Sequence, residues 1–319
     1  MLPSLLGVLS PSGPRGRLSV LILHRVRPAI DPLFPDEVHA DRFDRLCAWI
    51  SGWFNVLPLD QAVERLRGGT LPARALAITF DDGYADNHDT ALPILQRHGL
   101  CATVFIATGF IGGGRMWNDT VIESVRRSPL PVLDLQGTLA AALGCLALGS
   151  MAQRRTAIAQ IIGDIKYLPA AERDAWVQAV AERSSAALPD NLMMSAPQIQ
   201  ALHRAGMQIG AHTVSHPILA RLPRAAAERE IADSKQALEA LLGEPVPLFA
   251  YPNGRPADDY TDDSVGIVRR LGFRAAVTTA RGAAHARTDL LQIPRFCPWD
   301  QRPLAFAARM ASNLWTSRP

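Results

Sequence analysis

Three mostly apolar runs of strand length lack the polar alternation of a half-exposed sheet: residues 18–23, 75–78 and 101–107. A strand that is apolar on both faces must be covered on both faces, which is the condition of a parallel sheet or barrel wrapped by helices. The intervening segments fit that condition. Phe43, Leu46, Cys47 and Ile50 recur at i, i+3, i+4 and i+7 behind Asp41 and predict a helix over 41–51. A second helix, opened by Asp60, carries Val63 and Leu66 and stops at Gly68-Gly69. A third, over 86–97, is expected to break at Pro93. Strand, helix and strand recurring at this spacing define an α/β pattern. With 319 residues, 48% of them hydrophobic and 20% charged, the chain can bury a large core.

The second half repeats the pattern. Ser195 and Gln198 are spaced as a reciprocal cap ahead of a helix bearing Ile199 and Leu202. Strands are expected at 207–210, 247–251, 273–278 and 290–296, with helices over 223–243 and 262–271 and a last one from Pro303. Between the halves, residues 119–192 read as a largely helical, alanine-rich insert, a candidate surface for a membrane face or a protein partner. The uncharged stretch 135–153 approaches the length of a spanning helix, but Gly137, Gly144 and Gly149 dilute it. It is expected to be a packed helical insert rather than a transmembrane span. Residues 1–17, rich in Pro, Gly, Ser and Arg, read as a flexible N-terminus, leaving 18–319 as one barrel domain. The N-terminus has no positive n-region, so the expected location is the cytoplasm, possibly at the inner membrane face. Lys+Arg number 33 against 30 acids, and a net charge of +3 gives no reason to expect nucleic acid. None of the four cysteines forms a C-x-x-C pair, so neither a zinc knuckle nor a redox motif is present.

Chemistry concentrates where the run 75–78 continues into Thr79-Phe80-Asp81-Asp82-Gly83-Tyr84. Adjacent carboxylates resist joint ionisation unless a cation or a proton separates their roles. Asp82 then reads as a metal ligand and Asp81 as a general base, although turn and N-cap duty would also explain an Asp-Asp-Gly. His212 and His216 follow another predicted strand and, four apart, would share a face on a helical turn. Imidazole suits a borderline divalent metal: zinc first, with cobalt or nickel as alternatives. Two histidines and one carboxylate leave a position open for water, as in a catalytic site. Such an ion acidifies water and polarises a carbonyl, and Asp81 can take the proton. The turn Tyr251-Pro252-Asn253-Gly254 is placed to offer a backbone N–H to an oxyanion. His24 ends the first strand, the side of an α/β barrel that carries chemistry, though it could equally be structural. Trp117 and Trp299 could stack on sugar rings or simply pack.

Together, Thr79-Phe80-Asp81-Asp82-Gly83-Tyr84 and His212-Thr213-Val214-Ser215-His216 resemble the first two motifs of the polysaccharide deacetylases, the NodB-homology or carbohydrate esterase family 4 group. The resemblance spans about 18–110 and 193–297. It implies an α/β fold, a distorted, incomplete (β/α) barrel carrying a helical insert. It also implies Asp81 as base, Asp82, His212 and His216 as metal ligands, and the Asn253 backbone in the oxyanion hole. The third motif departs from the usual form. Ala250 stands where an arginine commonly tethers the base, and Phe249-Ala250-Tyr251-Pro252-Asn253-Gly254 resembles a subgroup with F-A-Y-P-x-G. The histidine that normally supplies the acid has no counterpart in the last strand, which reads Ile293-Pro294-Arg295. His24 is the candidate acid, and Arg295 a candidate to orient Asp81 in place of the missing arginine.

These readings imply a metal-dependent hydrolase that removes N-acetyl groups from an amino-sugar polysaccharide or glycan intermediate, in bacterial exopolysaccharide or cell-envelope metabolism. Two alternatives stay open. The same site could cleave a non-sugar amide or ureide, or the fold could serve as an inactive glycan-binding or assembly protein.

Overall fold

The computed structural model describes residues 2–316. They fall into two compact units. One comprises residues up to 29, 38–111 and from 194 onward, and the other 30–37 and 112–193.

The first half of the larger unit contains α1 (Leu2–Leu9), β1 (Leu18–Leu23), α2 (Ala40–Trp53), β2 (Asn55–Val56), α3 (Leu59–Arg67), β3 (Ala75–Phe80), α4 (Leu92–Arg97) and β4 (Thr103–Ile106). A π-helical turn over Asn87–Ala91 precedes α4, so the break expected at Pro93 falls just before it. The smaller unit contributes α5 (Trp117–Arg127), β5 (Val132–Asp134), β6 (Cys145–Ala147), α6 (Met151–Ile165) and α7 (Ala170–Ser184). The larger unit then resumes with α8 (Ala196–Arg204), β7 (Gln208–Ala211), α9 (Arg224–Leu242), β8 (Leu248–Ala250), α10 (Asp262–Arg270), β9 (Ala275–Val277) and α11 (Pro303–Thr316).

Among the described residues the main sheet has seven strands, all paired in parallel, in the order β1-β3-β4-β7-β8-β9, with β2 also on β3. β1 runs along the whole of one edge of β3, while β2 and β4 share the other, at Ala75–Leu76 and Thr79–Phe80. Every residue of β1 and β3 is buried. The pleat sends Leu76, Ile78 and Phe80 into one apolar cluster, with Phe43, Leu46 and Leu95 of α2 and α4. It sends Ala75 and Ala77 into a second, with Phe105, Val277 and Ile293. Residues 293–296 lie between the sheet's two ends. Ile293 bridges Val277 of β9, and Phe296 bridges Leu21 of β1, its amide donating to Val20 at 2.8 Å. The expected last strand is thus only bridged, and the sheet curls into an incomplete barrel.

The sequence readings need three adjustments. Residues 1–17 carry α1, whose Leu6 is fully buried, and Ser10 Oγ donates to the Arg17 carbonyl at 2.8 Å. The smaller unit begins at 112 rather than 119 and takes in residues 30–37. Arg126 holds that segment through both oxygens of Asp31, each at 2.7 Å. Nor is the unit wholly helical. Gly137 (φ 71°) and Gly144 (φ 66°) turn the chain out of helical geometry, and β5 and β6 form an antiparallel ribbon. Val121, Leu133, Ile158, Ile161 and Val180 make up much of this unit's own core. No helix among the described residues is long and apolar enough to cross a membrane.

One glycine sets a packing limit within the strand that carries the histidine loop. A Cβ at Gly210 of β7 would run into the ring of Phe105, which is fully buried in β4. Gly210→Ala is expected to cost about 1–3 kcal/mol of stability by overpacking, read from urea unfolding of the purified protein.

Candidate active site

Asp81 continues β3 at the level where β1 ends, its amide donating to the Leu23 carbonyl at 2.9 Å. Its carboxylate is buried and meets Arg295 side-on, Nη1 to Oδ1 and Nη2 to Oδ2, both at 2.7 Å. Arg295 is itself buried. Its Nε donates to the Thr278 carbonyl at 2.8 Å and its Nη1 to Thr79 Oγ1 at 3.1 Å. Burial works against an ionised Asp81, but the Arg295 charge, with help from His212, outweighs it and holds the carboxyl below the usual range. Arg295 therefore sits where a tether for Asp81 would be needed, reached from the segment that bridges β9 and β1.

The chain then turns sharply. Asp82 adopts φ 76° and Gly83 φ 90°, and a Cβ at Gly83 would lie 3.1 Å from Ile106. The turn aims Asp82 toward the loop that follows β7. His212 Nδ1 lies 2.7 Å from the Ala250 carbonyl, which can only accept, so Nδ1 carries the hydrogen and Nε2 is left to face Asp82. Beyond it the chain does not form a helical turn. Thr213 (φ 65°) and His216 (φ 54°) are left-handed, and the His216 amide donates to Thr213 Oγ1 at 3.1 Å. A tight loop, rather than a shared helical face, brings the two imidazoles together.

Glu230 of α9 anchors that loop. Its Oε2 accepts from the amides of Val214 and Ser215 at 2.9 and 2.8 Å, and its Oε1 from the Ser215 hydroxyl at 2.7 Å. Sequence reasoning passed over Glu230, because a glutamate on a surface helix has no motif around it. Gly109 completes the support. Its amide donates to the Val214 carbonyl at 2.8 Å, and a Cβ there would meet the same oxygen.

Asp82, His212 and His216 converge, with one potential ligand atom from each within 4.8 Å of the others. Both Nε2 atoms lie 3.4 Å from Asp82 Oδ1. That oxygen is buried and has no hydrogen-bond partner. Burial opposes ionisation of Asp82, yet the neighbouring imidazoles, His212 first, hold its carboxyl well below the ordinary range. Burial pushes the His216 imidazole down to about 4, a neutral form with a lone pair to give. A buried carboxylate oxygen without a donor, flanked by imidazole nitrogens, is a set of acceptors facing one another. The donor set fits a divalent cation of the borderline class.

His24 and Asn253 stand beside this cluster. Both line one cavity with Arg295. The end of β1 is fixed by the stretch after Asp82. Asp86 accepts from Arg25 Nε at 2.7 Å and from the Val26 amide at 3.1 Å, and Asn87 Nδ2 donates to the His24 carbonyl at 2.8 Å. Asn253 adopts φ 57°, and Thr279 Oγ1 donates to its carbonyl at 2.8 Å. The remaining helix histidines pair with acids instead: His88 with Asp89, His98 with Asp44 and His203 with Glu244.

A curled, mostly parallel sheet surrounded by helices is the architecture of the NodB-type deacetylases. Solved structures with that fold match over nearly the whole chain. The Streptococcus pyogenes deacetylase PplD, determined with acetate, is 21% identical, covers 95% of this chain and 99% of its own, and has a TM-score of 0.60. IcaB from Ammonifex degensii is 19% identical over 93% of this chain and 98% of its own, with a TM-score of 0.59. The polysaccharide deacetylase profile matches residues 68–129 and 175–276, and the chain belongs to that family. A curated relative, the putative polysaccharide deacetylase YxkH of Bacillus subtilis (strain 168), is 20% identical over 270 residues, 84% of this chain. The match spans 66% of that relative's length.

The Arg295–Asp81 pair has a thermodynamic signature. Arg295→Met leaves a buried carboxylate without its counter-charge and should lower the unfolding free energy by about 3–5 kcal/mol. The double variant Asp81→Asn, Arg295→Met should recover part of that loss. Additive losses in urea titrations would show that the two side chains are not coupled.

Proposed function

We propose that the chain is a metal-dependent hydrolase that removes N-acetyl groups from an amino-sugar polysaccharide or glycan intermediate, in exopolysaccharide or cell-envelope metabolism. The observation that carries this reading is the orphaned Asp82 Oδ1, facing two imidazole nitrogens at 3.4 Å, next to a separately tethered carboxylate. An inactive binder has no use for the second acid. Zinc is the first choice for the cation, with cobalt or nickel able to replace it. When bound, such an ion polarises the acetamide carbonyl and brings the pKa of water toward ~7.

The chain's own residues divide the rest of the work. Asp82, His212 and His216 would hold the ion, and the Ala250 carbonyl fixes the His212 tautomer. Asp81, kept ionised and oriented by Arg295, takes the proton of the attacking water on a carboxylate oxygen. Each of its oxygens gives one lone pair to Arg295 and keeps another. The Asn253 amide N–H, which has no acceptor among the described residues, donates to the developing oxyanion. His24 gives a proton to the departing amine nitrogen as the C–N bond breaks, freeing acetate.

Acetate release from N-acetylglucosamine oligomers tests the reading. Activity should vanish on exhaustive chelation and return with zinc. Asp81→Asn should lower kcat by about 10²–10⁴-fold. Full turnover by the metal-stripped protein would sink the mechanism, and cleavage of simple amides or ureides in preference to sugar oligomers would move the substrate elsewhere.

Glu230 gives a second, independent check. Glu230→Ala frees the amides of the histidine loop and is expected to weaken zinc binding by about 10–100-fold, measured by competition with a chromophoric chelator. Unchanged affinity would mean that the loop holds its shape unaided.

A further inference from the structure

The cavity beside His24, Asn253 and Arg295 has a volume of about 600 Å³, within the ~300–1,000 Å³ typical of small-ligand sites. Its lining carries four arginines, Arg255, Arg281, Arg295 and Arg309, and no carboxylate. Two of the four are neutralised. Asp81 takes Arg295 at 2.7 Å, and Asp300 takes Arg309 at 2.7 and 2.9 Å. The guanidinium groups of Arg255 and Arg281 have no acidic partner among the described residues, although the Arg255 amide donates to Asp259 Oδ2 at 3.0 Å.

One solvated surface arginine says little. Two unpaired ones on a concave wall, with no acid among the lining residues and the reacting groups alongside, set a positive field on whatever fills the cavity. The guanidinium fork matches carboxylate and phosphate oxygens, and in this lining it has neither to bind. Trp299 lines the same cavity and is 53% exposed, an unusual position for an indole and one that leaves ring surface open to a ligand.

We infer that this cavity is a subsite for an anionic sugar unit next to the acetamido sugar. Arg255 and Arg281 receive its carboxylate or phosphate ester, and Trp299 lies against its ring. The inference rests on the deacetylase reading and narrows it, since the substrate class becomes an acidic, N-acetylated glycan rather than a neutral one. Arg255 and Arg281 act as specificity residues and take no part in bond breaking.

The test uses the zinc-loaded full chain and three oligosaccharides of equal length. One is a neutral N-acetylglucosamine oligomer, one alternates N-acetylglucosamine with glucuronate, and one carries a phosphate ester beside the acetamido sugar. At low salt the preferred anionic oligomer should exceed the neutral one in kcat/KM by about 10-fold or more, through KM rather than kcat. The gap should close as salt screens the field, and whichever oligomer leads identifies the anion as carboxylate or phosphate. In the Arg255→Ala, Arg281→Ala variant the anionic-to-neutral ratio should fall to about 1, while Lys at both positions should keep a salt-sensitive preference.

Calorimetric binding of the same three oligomers separates this inference from the reading beneath it. Tighter binding of an anionic oligomer, lost in the double alanine variant, supports the subsite even if no acetate is released, an outcome that would instead overturn the deacetylase reading. Acetate release from the neutral oligomer with no anionic preference in either assay overturns the subsite alone.

Discussion

A single buried guanidinium joins the parts of the larger unit that matter for chemistry. Arg295 donates to Thr278 just past β9, to Thr79 within β3 and to both oxygens of Asp81 at the end of β3. A charge buried this deeply is tolerated only when its donors are filled and its counter-charge is close. Four hydrogen bonds from one side chain meet that condition. They do so only if residues 293–296 thread between β9 and β1, so the curl of the sheet and the ionised state of Asp81 are one requirement expressed twice.

The loops around the site carry strain that the sheet itself does not. Asp82, Thr213, His216 and Asn253 all adopt positive φ. Asp, Asn and His tolerate that region better than most residues, but such positions still cost on the order of 1–3 kcal/mol each. They persist because hydrogen bonds over-determine them. Glu230 fixes the two amides after Thr213, Gly109 meets the Val214 carbonyl, and Thr279 holds the Asn253 carbonyl. The result is a set of acceptors, Asp82 Oδ1 and two Nε2 atoms, brought closer than they would sit without a cation or proton between them.

Much of this was legible in the sequence, and the part that was not has a common cause. Local patterns carried through. The doubly apolar runs became β1, β3 and β4, the Ser195/Gln198 cap opens α8, and Gly243 ends α9 in the left-handed conformation. The adjacent acids and the spaced histidines could be grouped because parallel strands deliver their C-terminal ends to one side. What escaped were contacts between residues far apart in sequence. Residues 30–37 belong with 112–193 through Asp31 and Arg126, and Glu230 supports a loop from a helix that follows it. Gly137 and Gly144 read in the sequence only as diluting an apolar stretch, whereas their positive φ replaces the expected helix with a ribbon.

The position of the tether has a consequence for the cavity. Where the family commonly places an arginine in its third motif, this chain has Ala250, and the guanidinium arrives from 214 residues beyond Asp81 instead. The segment that brings it continues directly into Phe296, Cys297 and Trp299, all of which line the cavity beside the site. The orientation of Asp81 and the shape of the cavity are thus built from one stretch of backbone, pinned at Ile293 to β9 and at Phe296 to β1. A tether in the third motif would leave these two properties free to vary separately. Here a substitution that moves the backbone at 296–299 also moves Arg295, whereas Arg255 and Arg281 reach the same cavity from other segments of the chain.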